Sequence, residues 1–335
     1  MNHTEHSRQM YLAGDVGGTK TILALYQAGG NNCLKKQQFS SAQYLTFTEL
    51  LTEFLADVDY TSIKAVCIGV AGIVANGRCE TTNLPWVLSS QDIGELVNSQ
   101  QVRLLNDLEA TAWGLLDLPE RDFVELNPDA CNHQQGNIAV LAAGTGLGEA
   151  IIAWDDIRHQ VIASEGGHAD FSPTNEQEIA LLRHLLEKFS GHVSFERLIS
   201  GAGLVNIYQF LKHSNDVPAN PEIEQQMIQQ DPAAVIGEAG VAGSDALCLA
   251  ALKLFCKIYG AESGNLALKC LPYGGVYLAG GIGAKILPVL QQGEFMRGFL
   301  DKGRCKTLLQ TLSVKVCTNP EVALLGALSY IKKHT

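Results

Sequence analysis

Apolar and polar positions along the chain change period several times, and each change marks an element. Tyr11–Asp15 makes a short apolar strand, Val16-Gly17-Gly18-Thr19 a turn, and Thr21–Tyr26 a second strand. Phe47, Leu50, Leu51, Phe54 and Leu55 then recur at the three-and-four spacing of one helical face. The run Ile63–Val74 is almost continuously apolar and rich in β-branched residues, as expected of a strand covered on both faces. Val102–Asn106 predicts another strand, running directly into a helix that begins at Asp107. Hairpin, helix, strand, helix, strand, helix is the order of an α/β protein rather than an all-α or all-β one.

From residue 138 the pattern starts again. Ile138–Trp154 places a glycine turn between two apolar strands. Helices are predicted over Glu176–Phe189, Gly203–Lys212 and Ser244–Lys269, the first opened by a capping box of Thr174 with Gln177 and the last by a Ser-Asp cap. Gly275–Gly280 is a late strand leading through Gly281 and Gly283 into another helix. Ser313–Thr318 is the last strand, and a closing helix starts near Pro320. No low-complexity linker separates the halves, so two packed lobes with a binding cleft between them are expected.

Composition narrows the function. A chain of 335 residues suits two domains, and 46% apolar residues exclude a disordered spacer. The net charge is −11, from 24 basic and 35 acidic residues, with no Lys/Arg block; nucleic-acid binding, which needs clustered cations, is not expected. Nine cysteines without a CxxC or CxC pair argue against a zinc knuckle or disulfide framework and for reduced thiols in the cytoplasm. The opening MNHTEHSRQM has no apolar stretch, so no secretory signal is expected. The longest apolar run, Ile138–Trp154, is broken by Thr145, Glu149 and three glycines, so no membrane span is expected either. Glycine is in excess, at 33 residues, above the roughly 7% of an average chain.

Much of that glycine sits where chemistry is possible. Asp15-Val16-Gly17-Gly18-Thr19, Gly144-Thr145-Gly146-Leu147-Gly148 and Gly280-Gly281-Ile282-Gly283 each occupy a strand end. Glycines there let backbone N–H groups approach phosphate oxygens, and Thr19 and Thr145 add hydroxyls. None is a GK[ST] phosphate loop or a GxGxxG dinucleotide fingerprint. A single such turn is ordinary hairpin chemistry, but its duplication in both halves beside Asp15 favours phosphate held between two lobes. Asn106-Asp107 lies where a strand hands over to a helix; Asp107 is either a helix cap or a group at the ligand-binding end of a parallel strand. Glu165-Gly166-Gly167-His168 reads as a loop presenting carboxylate and imidazole to a polyhydroxylated ligand, with a structural histidine as the plainer reading. Glu196 alone could equally pair with Arg197 or with solvent.

Taken together, GDVGGT (Gly14–Thr19), LND (Leu105–Asp107), AGTGLG (Ala143–Gly148), EGGHADFSP (Glu165–Pro173), GHVSFERLISGAGLVNIY (Gly191–Tyr208) and LAGGI (Leu278–Ile282) resemble, in family order, the bacterial ATP-dependent glucokinases. The resemblance implies the actin, Hsp70 and sugar-kinase fold, a two-lobed actin-like (ribonuclease H-like) α/β architecture with a mixed sheet in each lobe. Residues 1–116, joined by the C-terminal helix 320–335, would form the small lobe and 117–319 the large one. It implies phosphorylation of D-glucose at its 6-hydroxyl by ATP with Mg2+, in a cytoplasmic homodimer. Asp107 would be the catalytic base, with Asn106, Glu165, His168 and Glu196 on the sugar. Gly14, Asp15, Val16, Gly17, Gly18 and Thr19 would form the first phosphate loop, with Asp15 near the magnesium through water. Gly144 and Thr145 would form the second loop, and Gly280 and Gly281 would lie against adenosine. The chain departs from the family pattern at Leu108, where Phe is usual, at Gly283-Ala284, where a proline-containing turn is common, and at Glu149, an unexpected carboxylate beside the second loop. The alternatives are a kinase for a related hexose or N-acetylhexosamine, although the cysteine cluster of the repressor–kinase group is missing, and a non-catalytic sugar-sensing regulator on the same fold.

Overall fold

A computed structural model describes residues 9–59, 62–81, 84–131, 134–214 and 218–335; the polar N-terminal residues 1–8 lie outside the described residues. The chain divides into two compact units, Met1–Pro119 with Pro320–Thr335, and Glu120–Asn319.

The first unit contains β1 (Met10–Val16), β2 (Lys20–Gln27), β3 (Cys33–Ser40), β4 (Ile63–Val70), β5 (Val74–Ala75), β6 (Arg78–Glu80), β7 (Val87–Ser89) and β8 (Val102–Asn106). Its main sheet has the order β3-β2-β1-β4-β8, while β5, β6 and β7 form a small separate sheet. β2 runs antiparallel to β1 and β3, whereas β1, β4 and β8 are parallel. β1, β2 and β4 are buried along most of their length, as both-face coverage requires. β3 was not expected from the sequence. Its run Cys33–Ser40 is polar and buries only Phe39, because it is an edge strand with mostly solvent-exposed side chains. The apolar run from Ile63 leaves the main sheet at Val70 rather than at Val74, and Val74 enters the small sheet instead.

The second unit contains β9 (Phe123–Glu125), β10 (Ile138–Ala143), β11 (Leu147–Trp154), β12 (His159–Ser164), β13 (Val276–Ala279) and β14 (Val314–Cys317), in the order β12-β11-β10-β13-β14-β9. β10, β11 and β12 are an antiparallel meander, and β10, β13 and β14 are parallel. The plan of the first sheet is thus repeated, with β9 added at one edge. Each unit is a mixed sheet flanked by helices, the expected α/β class. Two helices missed in the sequence, Pro221–Gln229 and Pro232–Ala242, each carry a first-turn proline behind an Asn or Asp cap. The cap of helix Glu176–Lys188 is Asn175, one residue later than expected, and Glu178 rather than Gln177 reaches back to Thr174. Among the described residues no single helix is long and apolar enough to cross a membrane.

The C-terminal helix Val322–His334 packs on helix Asp107–Leu115 almost backbone to backbone. A Cβ on Gly326 would overlap the Ala110 carbonyl oxygen, and one on Gly114 would overlap that of Val322. The chain's last helix thereby braces the helix that carries Asp107. Gly326→Val is expected to cost about 1–3 kcal/mol and to lower the thermal midpoint in calorimetry; an unchanged midpoint would contradict this packing.

Candidate active site

In the first unit the turn Gly17–Thr19 closes the β1–β2 hairpin, with Val16 opposite Thr21. Gly17 N–H donates to the Lys20 carbonyl (3.0 Å), and Ser41 Oγ donates to the Gly17 carbonyl (2.8 Å) while lying 3.0 Å from Thr21 Oγ1. Thr19 is exposed, and Gly17 and Gly18 are partly so. Ser41 therefore holds the loop from outside, and no spacing in the sequence marks it for that task. Gly14 belongs to a different place: it lies inside β1, where a Cβ would crowd Ile68 and Leu23, so it serves packing rather than the loop.

Asp15, one residue before the end of β1, and Asn106, the last residue of β8, lie at the same end of the sheet on the two parallel strands that flank β4. Burial, then the charge of Asp107, push the Asp15 carboxyl up to about 6, with Lys20 opposing. Two acidic groups thus meet at the carboxyl ends of parallel strands, the ligand-binding end of α/β sheets. Of the two readings of Asp107, the helix cap falls to its neighbour. Asn106 is the cap, its Oδ1 accepting from Leu108 N–H (2.9 Å) and its Nδ2 donating to the Gly72 carbonyl (3.1 Å). Asp107 stands exposed in the first helical turn, with Oδ1 accepting from the same Leu108 N–H (2.9 Å). Leu108 itself is buried, so its departure from the family's Phe is a matter of core packing.

In the second unit the turn Gly144–Gly146 joins β10 to β11, and Gly144 N–H donates to the Gly146 carbonyl (2.8 Å). Thr145 is exposed. Glu196 does not pair with Arg197. Its Oε2 accepts from Leu147 N–H at 3.1 Å, and it lies so close to Gly146 that a Cβ there would run into the carboxylate. Arg197 instead stacks on Phe189, 4.5 Å from the ring centre. Glu165 leads into a single 3-10 turn, Gly166–His168, where a plain loop was expected; both side chains are exposed, with His168 Nε2 3.9 Å from Glu165 Oε2. This turn is joined to the turn holding Glu196 by Phe195 N–H donating to the Ala169 carbonyl (3.0 Å) and by the Asp170–Ser194 bridge. Gly280, at φ +82°, closes on the last residue of β10, Ala143, and Gly281 beside it is exposed with no atom where its Cβ would be. The second glycine loop, Glu165, His168, Glu196 and Gly280–Gly281 are therefore one neighbourhood of the second unit. Gly283 lies inside helix Gly280–Lys285, where a Cβ would make ordinary contact with Val316. Among the described residues no group of three or more His, Cys, Asp or Glu side chains is arranged to hold a metal ion.

This geometry has relatives. A glucokinase family model matches residues 12–334. The glucokinase of Trichormus variabilis is 41% identical over 95% of this chain and 97% of its own, and that of Synechocystis is 39% identical over 95% and 96%. Among solved structures, the glucokinase of an Antarctic psychrotroph superposes with a TM-score of 0.83 at 26% identity, covering 97% of this chain and 99% of that one. With the model running through nearly every residue and the motifs folded into two glycine-loop units, the chain belongs to the glucokinase family.

Proposed function

We propose that the protein transfers the γ-phosphoryl group of ATP to the 6-hydroxyl of D-glucose, giving glucose 6-phosphate and ADP. The observation that carries this reading is the Glu196 carboxylate on the backbone of the second glycine loop, beside the turn bearing Glu165 and His168. Groups suited to sugar hydroxyls and a loop suited to phosphate are built on each other. Carboxylate oxygens accept from adjacent sugar hydroxyls, and an imidazole donates or accepts as its tautomer dictates.

On this reading Asp107 orients the 6-hydroxyl and accepts its proton as the bond to phosphorus forms, with Asn106 on the sugar through its remaining amide hydrogen. The turns Gly17–Thr19 and Gly144–Thr145, each tied at its first residue by a bond across the turn, present the backbone and hydroxyls of Thr19 and Thr145 to the phosphates, and Gly280–Gly281 leave a bare surface for the adenosine. The donor set suits magnesium. Asp15 is a hard oxygen ligand whose anionic form is disfavoured by burial and by Asp107, and a divalent cation relieves both. Held near Asp15, magnesium would supply neutralisation of phosphate charge. The same reading places the protein in the cytoplasm as a homodimer; its nine free thiols suit a reducing compartment.

The first test is a coupled ADP-release assay over a panel of hexoses and N-acetylhexosamines. Glucose is expected to be turned over fastest, and no activity with any hexose would refute the reading. Asp107→Asn is expected to lower kcat by about 10²–10⁴-fold while glucose KM stays within a few-fold. Near-native turnover would remove Asp107 from the role of base.

Asp15 makes a separate prediction about stability without nucleotide or magnesium. Its folded carboxyl keeps a proton up to about 6, against an ordinary 3.8, so stability is lost as pH rises through that window. Asp15→Asn should therefore be more stable than the native chain near neutral pH, by at most about 3 kcal/mol. The gap should close near about pH 4. Urea unfolding across that range reads it directly, and a gap that widens in acid contradicts the assignment.

A further inference from the structure

Beneath the turn Gly166–His168 lies a pair of carboxyls that the proposed reaction leaves without a task. Glu149 on β11 and Glu262 in helix Ala246–Cys270 are each 1% exposed. They lie within hydrogen-bonding reach of each other, and the Oε1 atom of each lacks a donor among the described residues. Asn265 Nδ2 satisfies Glu262 Oε2 at 2.8 Å. Two anions so placed would repel each other in a dry site, whereas a carboxyl that keeps its proton can donate it to its neighbour.

The surroundings agree. Burial first, and Glu262 second, push the Glu149 carboxyl up to about 8, opposed by Lys269; burial also raises Glu262, opposed by Asn265, Lys269 and Lys302. The other groups facing the pair are Tyr259, whose hydroxyl donates to the Leu141 carbonyl at 3.3 Å, and Ser164, whose Oγ donates to the Glu149 carbonyl at 2.8 Å. Glu165 and His168 lie at the two ends of the turn above.

That turn is seated on the Glu149 side chain. A Cβ on Gly166 would overlap Glu149 Oε2 and stand 3.0 Å from its Cβ and Cδ. Gly166 N–H is tied in addition to Ser164 Oγ (3.2 Å), and Ser164 is the partner of Glu149 across β11–β12. The Glu149 side chain is thus the floor of the turn that ends in Glu165 and His168.

We propose that Glu149 is a positioning residue for the sugar: bonded through a shared proton to Glu262, it sets the height of Gly166 and so aims Glu165 and His168. The proposal rests on the reading of Glu165 and His168 as sugar ligands. When the shared proton leaves, two charges face each other in a dry site, the side chains separate, and the floor under Gly166 moves. Glucose binding should weaken in alkali while turnover at saturating glucose holds.

The test is steady-state kinetics of the full chain from about pH 7 to about pH 9, with KM and kcat resolved separately. For the native protein glucose KM should rise several-fold across this range, with kcat changing by less than twofold. Glu149→Gln keeps the shape and a donor for Glu262 but cannot ionise, so its KM should stay level. Glu149→Ala removes the floor and should raise KM several-fold already at neutral pH, a loss that Glu149→Gln does not show. A native KM that is flat, or an alkaline rise that persists in Glu149→Gln, overturns the proposal; should the alanine variant not fold, the glutamine profile decides. Glu165→Gln separates the two layers. If it leaves glucose KM unmoved, the sugar-ligand reading fails. If it raises KM while Glu149→Gln behaves as the native chain, only the positioning role fails.

Discussion

Backbone lying directly on backbone is the constraint on which both units depend. In the second unit a Cβ on Gly280 would overlap the Ala143 carbonyl, and one on Gly167 that of Leu147. Side-chain packing can be rearranged by compensating changes of volume, but a missing Cβ between two main chains leaves no such freedom. Because Ala143 and Leu147 flank the second glycine loop, these two contacts fix that loop, the 3-10 turn beside it and the Gly280 turn relative to one another. In the first unit the Gly114–Gly326 crossing does the same for the helix behind Asp107. Rigid supports of this kind are what a phosphoryl transfer needs, since its barrier yields mainly to positioning and charge placement.

The second requirement is charge. An acidic chain must hold a polyanionic nucleotide, and its own carboxylates already repel one another. Among the described residues, two such acidic pairs call for different solutions. Asp15 and Asp107 repel each other near the carboxyl ends of the parallel strands, and on the proposed function a cation would neutralise them. Glu149 and Glu262 are sealed behind β11, where only a proton fits. Exposure to ligand decides which solution applies: an accessible pair recruits charge from outside, whereas a sealed pair must neutralise itself.

How much of this could be read from residues alone follows the same physics. The buried strands β1, β2, β4, β10 and β11 were legible because both-face burial writes continuous apolar runs, and the glycine loops because duplication made them conspicuous. The edge strands β3 and β12 were not. Cys33–Ser40 buries one residue and His159–Ser164 none fully, so neither carries a period to detect. The two helices opening with proline could have been found, since Asn220-Pro221 and Asp231-Pro232 are regular cap signals. At the site, Asp107, Glu165, His168 and Glu196 were candidates by type and place, but the Glu196 bond to Leu147 N–H spans 49 positions and no local pattern predicts it. Glu149 stood out only as a carboxylate where none was expected. Its partner Glu262 was invisible, because a glutamate in a long helix looks like any solvated one until the helix is found buried on nearly every side.

The remaining question is why a floor under the turn Gly166–His168 should be ionisable at all, since an apolar side chain would fill the space. Burying two carboxyls adds little to stability and commonly subtracts from it, so stability does not account for the choice. Direction does. An apolar contact is satisfied over a range of heights and rotations, whereas a carboxyl hydrogen-bonded to a second carboxyl, itself anchored by Asn265, has one satisfied rotamer. Gly166 rests on that rotamer without a side chain of its own to absorb error, so the precision of the buried bond passes to the turn above. Apolar packing would hold the turn in place; the shared proton holds it at one height.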